Sequence, residues 1–319
     1  MGFSTEEIEK AIISMGVPYE RIGPDCQYKK FCSFRKCQDN GIYFVVDDIA
    51  TPKKIQNSLF ICSKERQDLI DDGNTIIIVE EPQNTFYKLL NKINPKKTNA
   101  GIHKTAVINN KAIIEKDVEI GPYCTIGDCI IKSGTCLRSH VAVYDKTIIE
   151  NNVTIESFTC VGATGAAWSF DKQSGERILQ PQMGGVVLGQ NSFIGSNITI
   201  VRGSLNEDTE IGKNCIIAHG TKIGHGCKIG NYTHFANNVT IAGNVDIGDF
   251  SFIGAGAVLR PQVSLGEGTI VAAGAVVVKS VLESDCLLIG VPAKIDKTHK
   301  ERMSGIPKSF IDKRRGSNE

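Results

Sequence analysis

The sequence predicts a mainly β protein: a parallel β-solenoid of about nine coils, preceded by a small α/β domain and followed by a short C-terminal helical tail. An aliphatic or aromatic residue recurs at every sixth position from Ile102 to Val161 and from Leu188 to Val277, with one five-residue step in each run. The second run counts Leu205 among its core positions. A period of six fits neither an α-helix nor an isolated strand. It fits short strands joined by turns, three of which close an 18-residue triangular coil with stacked inward side chains.

The residues between the core positions support this fold. Gly, Asn and Asp often follow the core residue, as in IGKNC, IGNYT and IGDFS, and these residue types suit sharp corners. The repeat covers residues 99–291 and is interrupted by an excursion at 163–185 that contains aromatic residues. A purely structural rod remains an alternative, but the excursion and a group of histidines count against it.

Residues 1–98 lack the six-residue repeat and predict a small α/β domain. The segments GIYFVVDDI, NSLFICS and NTIIIVEE are typical of short buried strands. A helix is expected in FSTEEIEKAIISMG, capped by Ser4 or Thr5, and a second one in PQNTFYKLLNKINP, ending near Pro95. The tail, 292–319, holds eight Lys or Arg against four acidic residues. It is either a solvated terminus or a docking site for an acidic partner.

Composition excludes several classes of protein. The chain has 36 Lys and Arg against 35 Asp and Glu in 319 residues, which argues against a nucleic-acid binder that depends on bulk positive charge. It contains no apolar run of membrane-spanning length and no signal peptide at its start, so a soluble, cytoplasmic protein is expected. Its 11 cysteines form no CxxC pair and are expected to be reduced thiols rather than metal ligands or disulfides. Six of them lie within the repeats: Cys124, Cys129, Cys136, Cys160, Cys215 and Cys227.

Three histidines lie close together in the second half of the repeat: His219, His225 and His234. Gly243 follows His225 by 18 residues, one full coil, so the two should lie one above the other on the same edge. By the same count Glu207 should lie one coil before His225. A histidine can act as a general base near neutral pH, and a bare glycine amide can stabilise an oxyanion. The alternatives are a histidine that merely occupies a corner and a zinc site that includes His219 and His225.

Longer stretches of the repeat carry a family resemblance. The excursion followed by PQMG (181–184) and the motif Arg202–Leu205 (RGSL) resemble the UDP-3-O-acylglucosamine N-acyltransferases of lipid A synthesis. The second half, IGHGCKIGNYTHFANNVTIAGNVDIGDFSFIGAGAVLRP, is equally similar to bacterial nucleotide-sugar N-acetyltransferases. Both are hexapeptide-repeat proteins, and this resemblance implies that the solenoid is a left-handed parallel β-helix.

The resemblance implies an N-acyltransferase. Its acyl donor would be a thioester, acyl-coenzyme A or acyl carrier protein, and its acceptor the amine of a nucleotide-linked amino sugar, in surface glycan or lipid A-type synthesis. It further implies a homotrimer with active sites between subunits, no tightly bound cofactor, and an N-terminal domain that binds the nucleotide. It puts the catalytic base at His225 and the oxyanion-stabilising amide at Gly243. The candidate substrate-binding residues are Trp168, Phe170, Gln182, Arg202, His219, His234, Gly254 and Gly256.

Two departures from these families keep the substrate open. Gly226 follows His225 where the lipid A enzymes usually have Asn and the sugar acetyltransferases often have an acidic residue. Gln262 stands where a second histidine is expected. Three classes therefore remain: an N-acyltransferase for a long or hydroxylated acyl chain, an acetyl-coenzyme A-dependent sugar N- or O-acetyltransferase, and a non-catalytic or metal-binding solenoid.

Overall fold

The computed structural model describes residues 2–46, 55–69, 73–95, 100–297 and 306–316. The chain divides into two compact units, Met1–Lys97 and Thr98–Glu319, so that the C-terminal segment belongs to the second unit. The end of the predicted strand GIYFVVDDI and part of the basic tail lie outside the described residues. Each unit is described by itself below.

The first unit is a sheet of five strands with two helices, α1 (Thr5–Ser14) and α2 (Pro82–Ile93). Ser4 caps α1 by accepting the backbone N–H of Glu7, whose carboxylate accepts the Ser4 N–H in return. The strands of this unit are β1 (Phe3–Ser4), β2 (Glu20–Ile22), β3 (Gln27–Tyr28), β4 (Lys30–Phe31), β5 (Gly41–Phe44), β6 (Leu59–Cys62) and β7 (Thr75–Ile78). In the five-stranded sheet, β4 to β7 run parallel in the order β7-β6-β5-β4, and β2 pairs antiparallel with β7.

A cavity of about 600 Å³ opens where β6 and β7 end. Its lining includes Ser63 and Lys64 after β6, Val79 after β7 and Lys88 on α2. The carboxyl ends of parallel strands are the usual ligand-binding edge of an open α/β sheet. The cavity is therefore the candidate binding site of this unit.

The second unit is a triangular solenoid with three parallel faces, numbered in the order in which the chain visits them. Face 1 consists of Gly101–Ile102, Glu119–Ile120, Cys136–Leu137, Thr154–Ile155, Phe193–Ile194, Ile216–Ile217, His234–Phe235, Phe252–Ile253, Ile270–Val271 and Leu287–Ile289, with antiparallel Lys294–Asp296 added at its end. Face 2 consists of Val107–Ile108, Thr125–Ile126, Ala142–Val143, Cys160–Ala163, Thr199–Val201, Lys222–Ile223, Thr240–Ile241, Val258–Leu259 and Val276–Val277. Face 3 consists of Ile113–Ile114, Ile130–Ile131, Thr147–Ile149, Val186–Leu188, Thr209–Ile211, Lys228–Ile229, Asp246–Ile247 and Ser264–Leu265.

The core is a stack of inward-facing side chains, as the six-residue period predicts. Ile223 pairs with Ile200 on one side and with Ile241 on the other, and all three are at most 2% exposed. Outward neighbours such as Lys222 and Thr240 are exposed. The nine strands of face 2 match the predicted coil number. Burial of this aliphatic stack is the main force that stabilises the coils, because each coil hides its apolar residues only against its neighbours.

Two predicted core positions are exposed: Ile102 pairs in register with Ile120 at the end of face 1 but is 53% exposed, and Leu205 is out of register altogether. Leu205 is 55% exposed and lies in a loop, not in a strand. The next core residue after Ile200 is Ile211, which pairs with Leu188 and Ile229 on face 3. Five extra residues therefore bulge out between face 2 and face 3, and the apparent five-residue step ending at Leu205 was a coincidence of sequence.

The edge between face 2 and face 3, called edge 2–3, carries both irregularities of the solenoid. The excursion leaves after Val161 and returns at Val186, and the loop 202–208 leaves the next coil at the same edge. The coil after that turns at His225, and the following one at Gly243. The edge between faces 1 and 2 (edge 1–2) keeps its regular spacing.

The C-terminal helix α3 (Lys308–Gly316) packs on the third edge of the solenoid. The Phe310 ring lies edge-on to the stacked rings of Tyr232 and Phe250. Arg315 contacts the carboxylates of Glu267 at 2.7 Å and Asp285 at 2.9 Å. This part of the basic tail is therefore docked on its own solenoid, and Arg315 is neutralised within the chain.

Candidate active site

His225 and Gly243 form the vertical pair that their spacing predicts. Lys222 and Ile223 pair in register with Thr240 and Ile241, which puts the two residues at the same corner of consecutive coils. The imidazole lies directly against Gly243: a Cβ built on this glycine would come within 2.7 Å of the ring Cε1 and would meet Nε2 more closely still. Only glycine leaves room for the ring in this position.

The other ring nitrogen of His225 is held by Ser204. Its Oγ lies 2.8 Å from Nδ1, and Ser204 is only 7% exposed. The backbone N–H of the following Gly226 donates to Thr209 Oγ1, which fixes the turn after the histidine. The ring is therefore oriented from the preceding coil, with Nε2 on the Gly243 side.

Glu207 lies on the coil before His225, as predicted, but within the loop 202–208 rather than at a regular corner position, because this loop breaks the 18-residue count. Its carboxylate accepts the backbone N–H groups of Ser204 and Leu205 at 3.1 and 3.2 Å. Its own N–H and these backbone donors hold the pKa of Glu207 below its ordinary value of 4.5. Glu207 thus closes the loop that carries Ser204.

The backbone N–H of Gly243 finds no hydrogen-bond acceptor among the residues that the structure describes. The neighbouring Ala242 and Asn244 amides, by contrast, donate to Leu259 and His225 carbonyls. An unused amide next to an imidazole provides a hydrogen-bond donor and a proton acceptor side by side.

The excursion forms a hairpin on the same edge. Trp168–Phe170 pairs antiparallel with Arg177–Leu179, and the Arg177 guanidinium lies 4.7 Å from the centre of the Trp168 ring. Trp168 and Phe170 are more than half exposed, and further exposed apolar residues follow at Ile178, Leu179 and Met183. A concentration of exposed apolar side chains of this kind marks a contact surface for a ligand or a partner.

Gln182 and Arg202 lie where the excursion joins the solenoid. The Gln182 side chain is buried and its Oε1 accepts the Gly165 N–H, while its Nε2 has no partner among the described residues. Arg202 donates through Nη2 to the Asp145 carbonyl, and its buried Nε is also unpaired within the described part of the chain. The Gln182 side chain thus ties together the two ends of the excursion, the Arg202 side chain ties its loop to an earlier coil at Asp145, and both retain unused hydrogen-bond donors among the described residues.

The remaining four candidates lie away from His225 within one chain. His219, Gly254 and Gly256 are on edge 1–2, where His219 Nδ1 accepts the Ser196 N–H at 2.8 Å. His234 is on face 1 with its ring against Phe252, and burial lowers its pKa below the usual 6.5. The structure therefore brings together His225, Gly243, Arg202 and the base of the excursion, and leaves these four on other surfaces.

The described ranges contain no group of three or more His, Cys, Asp or Glu side chains that could hold a metal ion. The eleven cysteines are free thiols. Burial raises the pKa of Cys215 to about 12 and that of Cys227 to about 11, so these thiols are protonated and unreactive at neutral pH. None of the described helices has the length and apolar composition that a membrane-spanning segment requires.

The sequence profile described as "Bacterial transferase hexapeptide (six repeats)" matches residues 208–243 and 244–279. The chain is 39% identical over 160 residues to the acyl-[acyl-carrier-protein]–UDP-N-acetylglucosamine O-acyltransferase of Thermodesulfovibrio yellowstonii, covering 47% of this chain and 56% of that protein. It is 30% identical over 232 residues to the UDP-3-O-acylglucosamine N-acyltransferase of Coxiella burnetii, covering 63% of this chain and 66% of that protein.

The solved structure of LpxA from Acinetobacter baumannii superposes with a TM-score of 0.57 at 30% identity, covering 68% of this chain and 82% of that one. The chain belongs to the hexapeptide-repeat acyltransferases. This likeness confirms the predicted left-handed parallel β-helix. The chain spans about half to two thirds of the length of the two curated relatives.

Sequence reasoning missed two residues next to the candidate base His225. Ser204 contacts its ring, and Thr209 holds the turn that follows it. Ser204 is 21 residues from His225, which is not a multiple of the coil length. No periodicity could find it. The available signal was only its place in the RGSL motif, next to the break in the repeat.

Proposed function

We propose that this protein transfers an acyl group from a thioester to the amine of a nucleotide-linked amino sugar. The observation that carries the proposal is the His225 imidazole packed on Gly243, whose backbone N–H is unused among the described residues, beside an exposed aromatic hairpin. Acyl transfer to an amine needs one group that accepts a proton and one that stabilises an oxyanion. His225 supplies the first and Gly243 the second.

The reaction proceeds without a covalent enzyme intermediate. The amine nitrogen attacks the thioester carbonyl carbon and its proton passes to His225 Nε2. The carbonyl oxygen becomes an oxyanion that accepts the Gly243 N–H. When the tetrahedral intermediate collapses, the C–S bond breaks, the new amide remains, and the thiolate takes the proton back from His225.

The substrates are proposed from surfaces of both units. The cavity at the ends of β6 and β7 is the candidate nucleotide site of the first unit, with Lys64 and Lys88 as candidate phosphate contacts beside the carboxylates of Glu65, Glu80 and Glu81. Trp168 and Phe170 offer apolar faces to the sugar or the acyl chain. The names of the relatives support a UDP-sugar acceptor and acyl carrier protein as a donor, with acyl-coenzyme A as the other candidate.

A homotrimer is part of the proposal. His219, Gly254 and Gly256 lie on a different edge from His225 and cannot reach it within one chain. If edge 1–2 of one subunit packs beside edge 2–3 of the next, these three residues and His225 line one cleft between the two subunits. Because thioesters of coenzyme A and acyl carrier protein are made in the cytoplasm, the proposed reaction belongs there.

The test combines a donor screen with a matched pair of variants. The full-length protein is incubated with UDP-linked amino sugars and with acetyl-, hydroxyacyl- and long-chain acyl thioesters of coenzyme A and acyl carrier protein, and products are identified by mass spectrometry. His225→Ala should lower kcat by about 10²–10⁴. His103→Ala, which removes an exposed histidine that contacts only Thr105 among the described residues, should retain wild-type turnover. Full activity in His225→Ala would refute the assignment.

O-acylation of the sugar is the second candidate, and the 39% identity to an O-acyltransferase favours it. The same base and oxyanion donor serve a hydroxyl nucleophile equally well. Paired acceptors with an amine or a hydroxyl at the same sugar carbon decide between the two. An ester product is cleaved by neutral hydroxylamine, whereas an amide product survives.

A further inference from the structure

The structure gives His225 an orienting partner that is a hydroxyl rather than a carboxylate. Ser204 Oγ lies 2.8 Å from Nδ1. The residue after the histidine, Gly226, has no side chain, and its N–H is already held by Thr209. The carboxylate of Glu207 is occupied by backbone N–H groups of its own loop. Among the described residues, only Ser204 contacts Nδ1 through a hydrogen bond.

Ser204 is held in place from three directions. Its N–H donates to Glu207 Oε1, and its carbonyl accepts the N–H of Met183 at the end of the excursion. The adjoining Gly203 carbonyl accepts the Gly184 N–H. Because Ser204 is buried, its hydroxyl has little freedom to leave the imidazole. The loop 202–208 therefore links the excursion to the ring of His225.

The hydrogen bond at Nδ1 decides which nitrogen can accept a proton. A neutral imidazole carries one N–H, so a free lone pair on Nε2 requires the proton on Nδ1. The Ser204 oxygen can accept that Nδ1–H. Nε2 is then the basic atom of the ring. It lies on the side of Gly243, whose backbone N–H is the proposed oxyanion donor.

We propose that Ser204 is a positioning residue for this enzyme: its hydroxyl oxygen accepts the Nδ1–H of His225, fixes the tautomer with a basic Nε2, and holds the ring against Gly243. The proposal rests on the acyltransferase function proposed above. It deepens that function by assigning to a serine the orienting role that a carboxylate plays in catalytic triads.

The tautomer is measured directly, without any substrate. Protein labelled with ¹⁵N-histidine is studied by solid-state NMR at pH 8, and His225→Ala identifies the resonance pair of His225 among the six histidines. Wild type should show a protonated Nδ1 and an unprotonated Nε2. Ser204→Ala should give a mixture of tautomers, and Ser204→Thr, which keeps the hydroxyl, should restore the wild-type spectrum. An Nε2–H tautomer in wild type, or an unchanged spectrum in Ser204→Ala, overturns the proposal.

Kinetics provide the second readout. Ser204→Ala should lower kcat by about 10- to 100-fold with KM within a factor of about three, because the base is misoriented while the substrate contacts remain. Ser204→Thr should recover most of the rate. The matched control is Ser251→Ala, which removes a buried hydroxyl that donates to the Gly248 carbonyl at 2.8 Å on the third edge, away from both edges of the proposed cleft, and should leave kcat unchanged. Wild-type kcat in Ser204→Ala, or equal losses in Ser204→Ala and Ser204→Thr, contradicts the positioning role. If wild type transfers no acyl group at all, the proposed function fails, and the NMR experiment still decides the tautomer.

Discussion

At the residue level, Gly243 is the position that couples the two proposed catalytic groups, because the imidazole of His225 fills the space in which any other residue would carry its Cβ. The same glycine presents an N–H that no described residue uses. A tetrahedral oxyanion requires space and a free hydrogen-bond donor, and the backbone of Gly243 supplies both. The identity of residue 243 therefore affects the base and the oxyanion donor together.

Gly243→Ala should cripple turnover while leaving the fold intact. The added methyl would lie within 2.8 Å of the ring Cδ2, so the imidazole must rotate away from its position. A displacement of about 1 Å at a reacting group costs on the order of 10² in rate, and kcat should fall by about that factor. The measurement is steady-state kinetics with the best donor and acceptor from the screen.

The control for this substitution is Gly316→Ala at the end of α3, where no atom lies within 4 Å of the added methyl. It should keep wild-type kcat. Circular dichroism should show unchanged β-rich spectra for both variants. If Gly243→Ala retains full turnover, the ring does not act from the position seen here.

At the level of elements, the loop 202–208 behaves as a small closed unit inserted into the repeat. Glu207 binds the N–H groups of Ser204 and Leu205 from within the loop, while the excursion binds its backbone from outside. Backbone donors that lie on an irregular loop need such acceptors, because no neighbouring strand supplies them. The loop is thus an ordered platform for Ser204 despite lacking regular secondary structure.

Glu207→Gln should loosen this loop. A neutral amide accepts the two N–H groups more weakly than a carboxylate does, so hydrogen exchange at Ser204 and Leu205 should accelerate, and kcat should fall by about tenfold. Hydrogen-exchange mass spectrometry reports the first effect. Glu210→Gln is the matched control, because Glu210 is an exposed neighbour whose contact with Lys228 is 4.0 Å long.

The ionisation of Glu207 should also make the stability of the loop 202–208 depend on pH. The pKa of Glu207 is below its ordinary 4.5 in the folded protein, so the ionised form stabilises the loop. This contribution is fully present above pH 4.5 and is lost as the pH falls through the lowered pKa. Protection of the Ser204 amide should therefore decrease below about pH 4.5 in wild type and should change less in Glu207→Gln. Equal acid sensitivity in the two proteins would exclude Glu207 as the loop's closing group.

At the level of the whole molecule, stability of the second unit comes from a continuous column of stacked side chains. Phe235 is fully buried between Ile217 and Ile253 of the adjacent coils. Each coil touches only its neighbours, so a cavity in a central coil weakens two interfaces at once. The solenoid is therefore most sensitive near its middle, which is also where the proposed site lies.

Phe235→Ala should lower the free energy of unfolding by about 3–5 kcal/mol, the usual cost of deleting a buried aromatic ring. Urea denaturation monitored by far-UV circular dichroism measures the change. Ile216→Ala on the preceding coil of the same face is the matched control, because its side chain is 47% exposed and should cost less than about 0.5 kcal/mol. Similar losses in both variants would show that the column is not the stabilising element.

The sequence by itself determined the solenoid, its approximate length and the His225–Gly243 pair. All three follow from an 18-residue period, which places residues at the same phase in consecutive coils wherever the spacing is unbroken. The helices of the first unit were also predictable, because capping residues such as Ser4 act locally. In a repeat protein, the spacing of two residues along the chain therefore determines whether they lie next to each other in consecutive coils.

Only the tertiary structure decided what surrounds that pair. The loop 202–208 breaks the period, so the count misplaced Leu205 and gave no sign that Ser204 contacts His225. The edges on which His219 and Gly254 lie, and the burial of Gln182 under the excursion, likewise depend on how non-periodic segments fold back. Periodicity is a property of spacing along the chain, whereas contacts made across an insertion depend on packing that spacing does not encode.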